Sequence, residues 1–134
     1  MYGALDISTS GLVAQRTRLE VISANLANER SVTNAAGQYE PYRRRFAVFA
    51  PGDPARGGSE GVHVSSIEID RGQLRPAFEP GSPFADRDGY VYYPNVDPVI
   101  ELMNAAEAAR AYEANISAVE ATKSMFSVAL QILA

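Results

Sequence analysis

Residues 97–134 read DPVIELMNAAEAARAYEANISAVEATKSMFSVALQILA, and the fold follows from how their apolar side chains are spaced. Leu102, Ala109, Ile116 and Leu130 share one seven-residue register, and Ala105, Tyr112, Val119, Phe126 and Leu133 share a second, three residues later. Two such registers on one helix mark a coiled-coil seam. Asp97 can cap the open amides of the first turn, Pro98 suits the first helical position, and Glu101 complements the positive end of the dipole. A helix of this length spans roughly 55 Å, more than the diameter of a small domain, so much of it needs partners outside a compact monomer. Near its end Met125, Val128, Ala129 and Ile132 carry apolar character round to the faces away from the seam. A helix apolar nearly all round is buried on every side, which implies several neighbouring helices. Lys123 interrupts the seam, either to set register or to snorkel to water.

The front of the chain answers the back. Between Ala4 and Ala27 a second helical pattern places Leu5, Leu12, Leu19 and Leu26 at seven-residue spacing, with Ile22 between the last two. Gly11 inside it costs about 1 kcal/mol relative to alanine, so packing must supply part of this helix's stability. Residues 29–96 lose helical periodicity and hold most of the Gly and Pro. Tyr42 to Ala50, Val62 to Asp70 and Tyr90 to Tyr93 have strand character, with a bulge expected at Ser65 and Ser66, where the apolar alternation changes face. Pro51 to Gly58, including Arg56, and Gly81 to Pro83 read as turns. The expected fold is therefore α+β: long N- and C-terminal helices packed as a coiled-coil-like pair, with a small β-rich insertion between them. Residues 1–28 and 97–134 would form one discontinuous helical assembly domain, and 29–96 a β-rich middle region too small to stand alone.

Composition narrows the function. A chain of 134 residues fits one domain, and a formal charge of −4 argues against a nucleic-acid binder. The basic run Arg43, Arg44, Arg45 beside Tyr42 and Phe46 reads as a solvated or subunit-contacting strand edge rather than a phosphate site. With no cysteine, nothing depends on disulfides, metal thiolates or a catalytic thiol. Asp6 arrives early, and Ser8, Thr9, Ser10 and Gly11 interrupt the apolar residues, so no cleaved secretory leader is expected. No apolar run approaches the roughly 20 residues of a membrane helix. His63 stands alone in a strand without ligand spacing, Asp86-Arg87-Asp88-Gly89 suits a turn better than a calcium loop, and Asn115-Ile116-Ser117 lies mid-helix, against glycosylation. Phosphate loops, nucleophile elbows and paired acid–base carboxylates are missing, so no enzyme, no cofactor, no metal and no small-molecule substrate are expected.

The residues can also be matched to a family. Leu5-Asp6-Ile7-Ser8-Thr9-Ser10-Gly11-Leu12, with Gln15 to Asn28 ending in Asn25-Leu26-Ala27-Asn28, resembles the N-terminus of bacterial flagellar basal-body rod proteins. Tyr93-Pro94-Asn95-Val96-Asp97-Pro98-Val99-Ile100-Glu101 and Ala109-Arg110-Ala111-Tyr112-Glu113-Ala114-Asn115 resemble the signature of the proximal rod, type C, branch of that family. The middle is looser, with Pro41-Tyr42-Arg43-Arg44 similar and residues 29–40 longer than the family's short Thr-rich link. The resemblance implies a structural subunit whose terminal helices pack on each other and on neighbours, forming the hollow drive shaft that transmits torque and surrounds the export channel. Implied partners are further copies of the chain, other rod proteins and the flagellar type III export apparatus, with assembly in the periplasm and no cleaved signal peptide. The rival expectation is a soluble helical-hairpin interaction module, closed as a monomer or dimer. The residues expected at the packing and assembly interface are Leu5, Leu12, Leu19, Ile22, Leu26, Leu102, Ala105, Ala109, Tyr112, Ile116, Val119, Phe126, Leu130 and Leu133.

Overall fold

The computed structural model describes residues 2–55 and 57–134; Arg56, in the expected turn, lies outside the described residues. In chain order the elements are α1 (Tyr2–Ala27), β1 (Arg45–Asp53), β2 (Gly58–Ile69), β3 (Arg75–Phe78), β4 (Tyr90–Tyr93) and α2 (Pro98–Leu133). The fold is α+β, with one long helix at each end and small antiparallel strand pairs between them. The start of α2 is fixed as its sequence requires: the Asp97 carboxylate accepts from the amides of Val99 at 3.0 Å and Ile100 at 3.4 Å, and Pro98 occupies the first turn.

α1 runs unbroken through Gly11 and packs antiparallel to α2. Asn25 meets Glu101, Arg18 meets Glu107, and Gly11 meets Asn115, so positions advance along one helix as they retreat along the other. The close approach explains the glycine. A β-carbon at position 11 would stand 2.7 Å from the side-chain nitrogen Nδ2 of Asn115, inside van der Waals contact. In this register α1 begins level with about residue 124 of α2, so roughly the last nine residues of α2, some 13 Å, overhang its partner.

β1 and β2 form a hairpin lying along α1. Its pairing jumps from Val48 with Ser66 to Phe49 with Val64, which leaves Ser65 as the bulge where the apolar alternation changes face. The Val62 amide donates to Ser10 Oγ at 3.1 Å and pins the hairpin to the helix. Gly61 makes that possible, because it holds φ +86° and a β-carbon there would be 2.7 Å from the same oxygen. The first strand begins at Arg45 rather than at Tyr42, because Tyr42 and Arg44 are drawn into the junction described below. Pro76 disguises β3 in the sequence; its partner β4 matches the expected Tyr90–Tyr93.

The β3–β4 pair turns Ala77 and buried Val91 inward and leaves Phe78, Tyr90 and Tyr92 exposed on its other face. Residues 29–40 fold as a turn in which Asn34 Oδ1 accepts from the amides of Ala36 and Gln38, both at 3.0 Å. Tyr39 fastens this turn to β4: its hydroxyl donates to the Tyr92 carbonyl at 3.1 Å and accepts from the Tyr92 amide at 2.9 Å. The buried hydrophobic side chains are few and mostly small: Ala14, Val21, Ile22, Val91, Val96 and Ala108 among the described residues.

Candidate functional site

Where the C-terminal end of α1 meets the first turn of α2, the core is polar. Asn25 is fully buried with every hydrogen-bonding position used. Its Nδ2 donates to the Arg45 carbonyl at 2.8 Å and to Glu101 at 3.2 Å, while its Oδ1 accepts from the Arg45 amide and the Tyr42 hydroxyl, each at 2.9 Å. Glu101 is equally buried, and its second oxygen accepts from Arg44 Nε. Arg44 also reaches Asp70 at 3.7 Å, and its amide donates to Asn95 Oδ1 at 2.8 Å. Asn95 Nδ2 then donates to the Asp70 carbonyl at 3.1 Å.

One connected set of bonds thereby joins both helices, the entry to β1, the exit of β2 and the approach to α2. Burial raises the Tyr42 hydroxyl pKa; Arg45 opposes that rise and Glu101 adds to it. A carboxylate out of water is tolerable here because a guanidinium and an amide both reach it.

This junction corrects the reading of the basic run as a solvated or subunit-contacting edge at Arg44, whereas Arg45 is exposed. Arg44 is an interior partner, Arg43 donates to the Gly72 carbonyl at 2.9 Å, and Arg45 lies over the Tyr42 ring at 5.7 Å. Glu101 does sit in the first turn of α2, but its side chain serves the junction. A sequence signal existed: an acid on the inner face of an apolar helix demands a buried cation.

The motif residues fall largely around the same place. Asn25 and Asn95 are members of the junction, Val96 is fully buried beside it, Asp97 and Pro98 open α2, and Asn28 ties the end of α1 by donating to the Ala24 carbonyl at 2.8 Å. Leu26 is half-buried and Ala27 exposed at the helix end. Asn115 lies against Gly11 at the helix crossing, Tyr112 is half-buried, and Glu113 is exposed.

The apolar registers are distributed by helical geometry. The residues of α2 that face α1 are Glu101, Ala108 and Asn115, and Leu102, Ala109, Ile116 and Leu130 fall one residue later or on the same register. A one-residue step turns about 100° round a helix, so this register faces sideways; Leu102 is 59 % and Leu130 66 % exposed. Ala105, Tyr112, Val119 and Phe126 are half-buried between that register and the seam, and Leu133 lies on the overhang.

On α1 the leucines 5, 12, 19 and 26 likewise follow Gly11, Arg18 and Asn25 by one step, and all are half-buried. Ile22 is buried. In an antiparallel pair, the same one-residue step turns both helices to the same side. The leucines of α1 and the Leu102 register therefore share one face, while Ser10, one step the other way, holds the β1–β2 hairpin on the opposite face. Met125, Val128, Ile132 and Leu133 stand 52–84 % exposed on the overhang.

The remaining candidates have local explanations. His63 Nδ1 lies 2.8 Å from the Gly52 carbonyl, and Asp86 Oδ1 accepts from the amides of Asp88 at 3.0 Å and Tyr90 at 2.9 Å, closing the turn through Gly89. Lys123 is exposed. No helix among the described residues is long and apolar enough to cross a membrane.

Comparison with known proteins finds likeness along the whole chain. Residues 5–29 match the family described as "Flagella basal body rod protein", and residues 87–132 match "Flagellar basal body rod FlgEFG protein C-terminal". The flagellar basal-body rod protein FlgC of Salmonella typhimurium strain LT2 is 43 % identical over 129 residues, covering 93 % of this chain and 92 % of that one. FlgC of Borreliella burgdorferi strain B31 is 37 % identical, covering 99 % and 97 %, and FlgC of Bacillus subtilis strain 168 is 37 % identical, covering 98 % and 97 %.

Proposed function

The chain belongs to the FlgC family of flagellar basal-body rod proteins, and from that membership we propose that its terminal helices are its polymer contacts. It is a structural component of the basal-body rod, not an enzyme. The observation that carries the proposal is the apolar side of the helix pair, where Leu5, Leu12, Leu19 and Leu26 lie beside Leu102, Ala109 and Ile116, opposite the β1–β2 hairpin, and Leu130 continues that register onto the overhang. A third helix laid on that side would cover both registers at once and reach Ala105, Tyr112, Val119 and Phe126 between them. The overhang, with Leu133, would meet yet another neighbour.

Repeated from subunit to subunit, such a heterologous contact does not close on itself and builds a helical array. Dense packing of continuous helices makes that array stiff, as a torque-carrying shaft must be. In this reading residues 1–28 and 97–134 form the assembly unit around the export channel, and the β-rich middle region packs outside it. The partners are other copies and other rod proteins, assembled in the periplasm after export by the flagellar type III apparatus without a cleaved signal. A self-contained hairpin module accounts less well for so many uncovered apolar residues, since a closed monomer gains nothing by exposing them.

Ile116→Asp tests the reading, because it places a charge on the shared face but outside the seam with α1. The variant monomer should keep its helical circular dichroism and be absent from purified basal bodies; normal incorporation would reject this face as the contact.

A further inference from the structure

We propose that the two ends of the β1–β2 hairpin are complementary halves of one head-to-tail contact, in which the acidic tip of one copy seats in the basic groove at the stem of the next. The groove lies where Arg45 pairs with Ile69, and Arg43, Arg45 and Arg71 line it together with Ile69 and Leu74. None of these three arginines forms an ion pair among the described residues. Arg43 donates to the Gly72 carbonyl, Arg45 lies over the Tyr42 ring, and Arg71 is exposed. One carboxylate, Glu40, also lines the groove, and Asn34 Nδ2 donates to it at 3.0 Å. Three guanidiniums against one carboxylate, in a chain of formal charge −4, make a local excess that the chain itself leaves unanswered.

The opposite charge stands at the other end of the same hairpin. Beside the turn that joins Asp53 to Gly58, Asp53 and Glu60 line one notch with Asp6 and Ile7 of α1. Against these three carboxylates the sequence of the turn sets one cation, Arg56. Each end therefore carries the charge the other lacks. Each also presents an isoleucine, Ile7 at the tip and Ile69 at the stem, 43 % and 44 % exposed. Arginine forks suit carboxylates, and complementary charges of this kind fix partner choice and register more than they add affinity.

Spacing decides the occupant. The nine residues of β1 hold the two ends about 26 Å apart, too far to meet within one chain, so each end needs another molecule. A second copy supplies the matching end. Because tip and stem are different surfaces, the contact is heterologous: every docking leaves a free tip and a free groove, and the series continues. This inference rests on the reading that copies of the chain polymerise, and it gives the β-rich middle region a contact of its own beside that of the helices.

Ser59→Cys next to the tip and Gln73→Cys next to the groove, both at exposed positions, test the contact in a chain that has no cysteine of its own. Basal bodies isolated from cells making this full-length variant are mildly oxidised and run on a non-reducing gel. The pair should give dimers and higher multiples of the chain, and either cysteine alone should give none. Arg45→Glu with Arg71→Glu in the same chain should remove the multiples. Adding Asp6→Arg with Glu60→Arg should restore them, because the charges are then exchanged. Recovery separates lost charge from lost folding, which changes at the tip could not repair.

Monomer alone in basal bodies that contain the cysteine pair overturns the contact and leaves the groove to another protein or a small anion. Multiples that survive the arginine reversal overturn the charge pairing, and the proposal with it. Should the cysteine pair block incorporation, the charge reversals are read by incorporation itself: loss with the two arginine changes and recovery with all four is the expected pattern, and any other overturns the proposal. The two readings fail separately, since Ile116→Asp judges the helix face by entry into the rod, whereas the multiples judge the hairpin ends among chains already there.

Discussion

Glu101 and its guanidinium partner have the strongest single-residue consequences in this molecule. Removing one member of a buried ion pair leaves the other charged without a partner, which typically costs 3–5 kcal/mol, on the order of a large share of a domain's stability. Arg44→Met should therefore lower the urea unfolding free energy by about that much, and Arg44→Met with Glu101→Leu should recover most of the loss. Equal losses in the single and double variants would mean the guanidinium matters for something other than the carboxylate.

Tyr42 gives the junction a pH dependence. Its raised pKa means that the folded state holds the phenolic proton more tightly than the unfolded chain does, whose tyrosines titrate near 10.0. The associated stability is complete below that value and is lost as pH rises from it through the folded pKa. Thermal unfolding followed from pH 8 to 11 should show an alkaline decline that shrinks in Tyr42→Phe. An identical decline in the variant would place its cause elsewhere.

At the scale of elements, the ends of the chain are specified locally and the middle is not. α2 begins at Pro98 because Asp97 satisfies two open amides, and Asp97→Ala should cost about 1 kcal/mol in chemical denaturation with little change in the rest of the structure. No measurable loss would mean that the Arg44–Glu101 contact alone holds the first turn. Strands were legible where alternation is regular, as in β4, and the bulge at Ser65 was legible because alternation fails there. β3 was not legible: Arg75-Pro76-Ala77-Phe78 carries a proline, and only pairing with Tyr90–Tyr93 makes it a strand.

For the whole molecule, the distribution of polar and apolar contacts predicts an uneven monomer. Amides around the junction, at 22–28 and 99–108, are held by bonds from several segments and should exchange slowly. Amides of 125–134 lie beyond α1 and should exchange fastest in α2. Peptide-resolved hydrogen exchange on dilute monomer measures this directly, and assembly should slow the overhang most. Uniform protection along α2 in the dilute monomer would mean the chain covers its own apolar end, and the case for assembly through that end would fall.

By itself the sequence determined the two helices, their heptad registers, the cap of α2 and the family, because periodicity, capping and motif are properties of residues close together in the chain. Three adjacent registers of α2 are each spaced by seven, and spacing does not say which one meets α1. The tertiary structure decided that Glu101, Ala108 and Asn115 face the partner and that Leu102, Ile116 and Leu130 turn aside. It also decided the fate of Arg44, since Asn25, Arg44 and the Asn95–Glu101 stretch come from three separate parts of the chain and meet only when both helices and the β1–β2 hairpin close around them. Burial then turns ordinary polar side chains into mutual obligations, and that condition exists only in the folded protein.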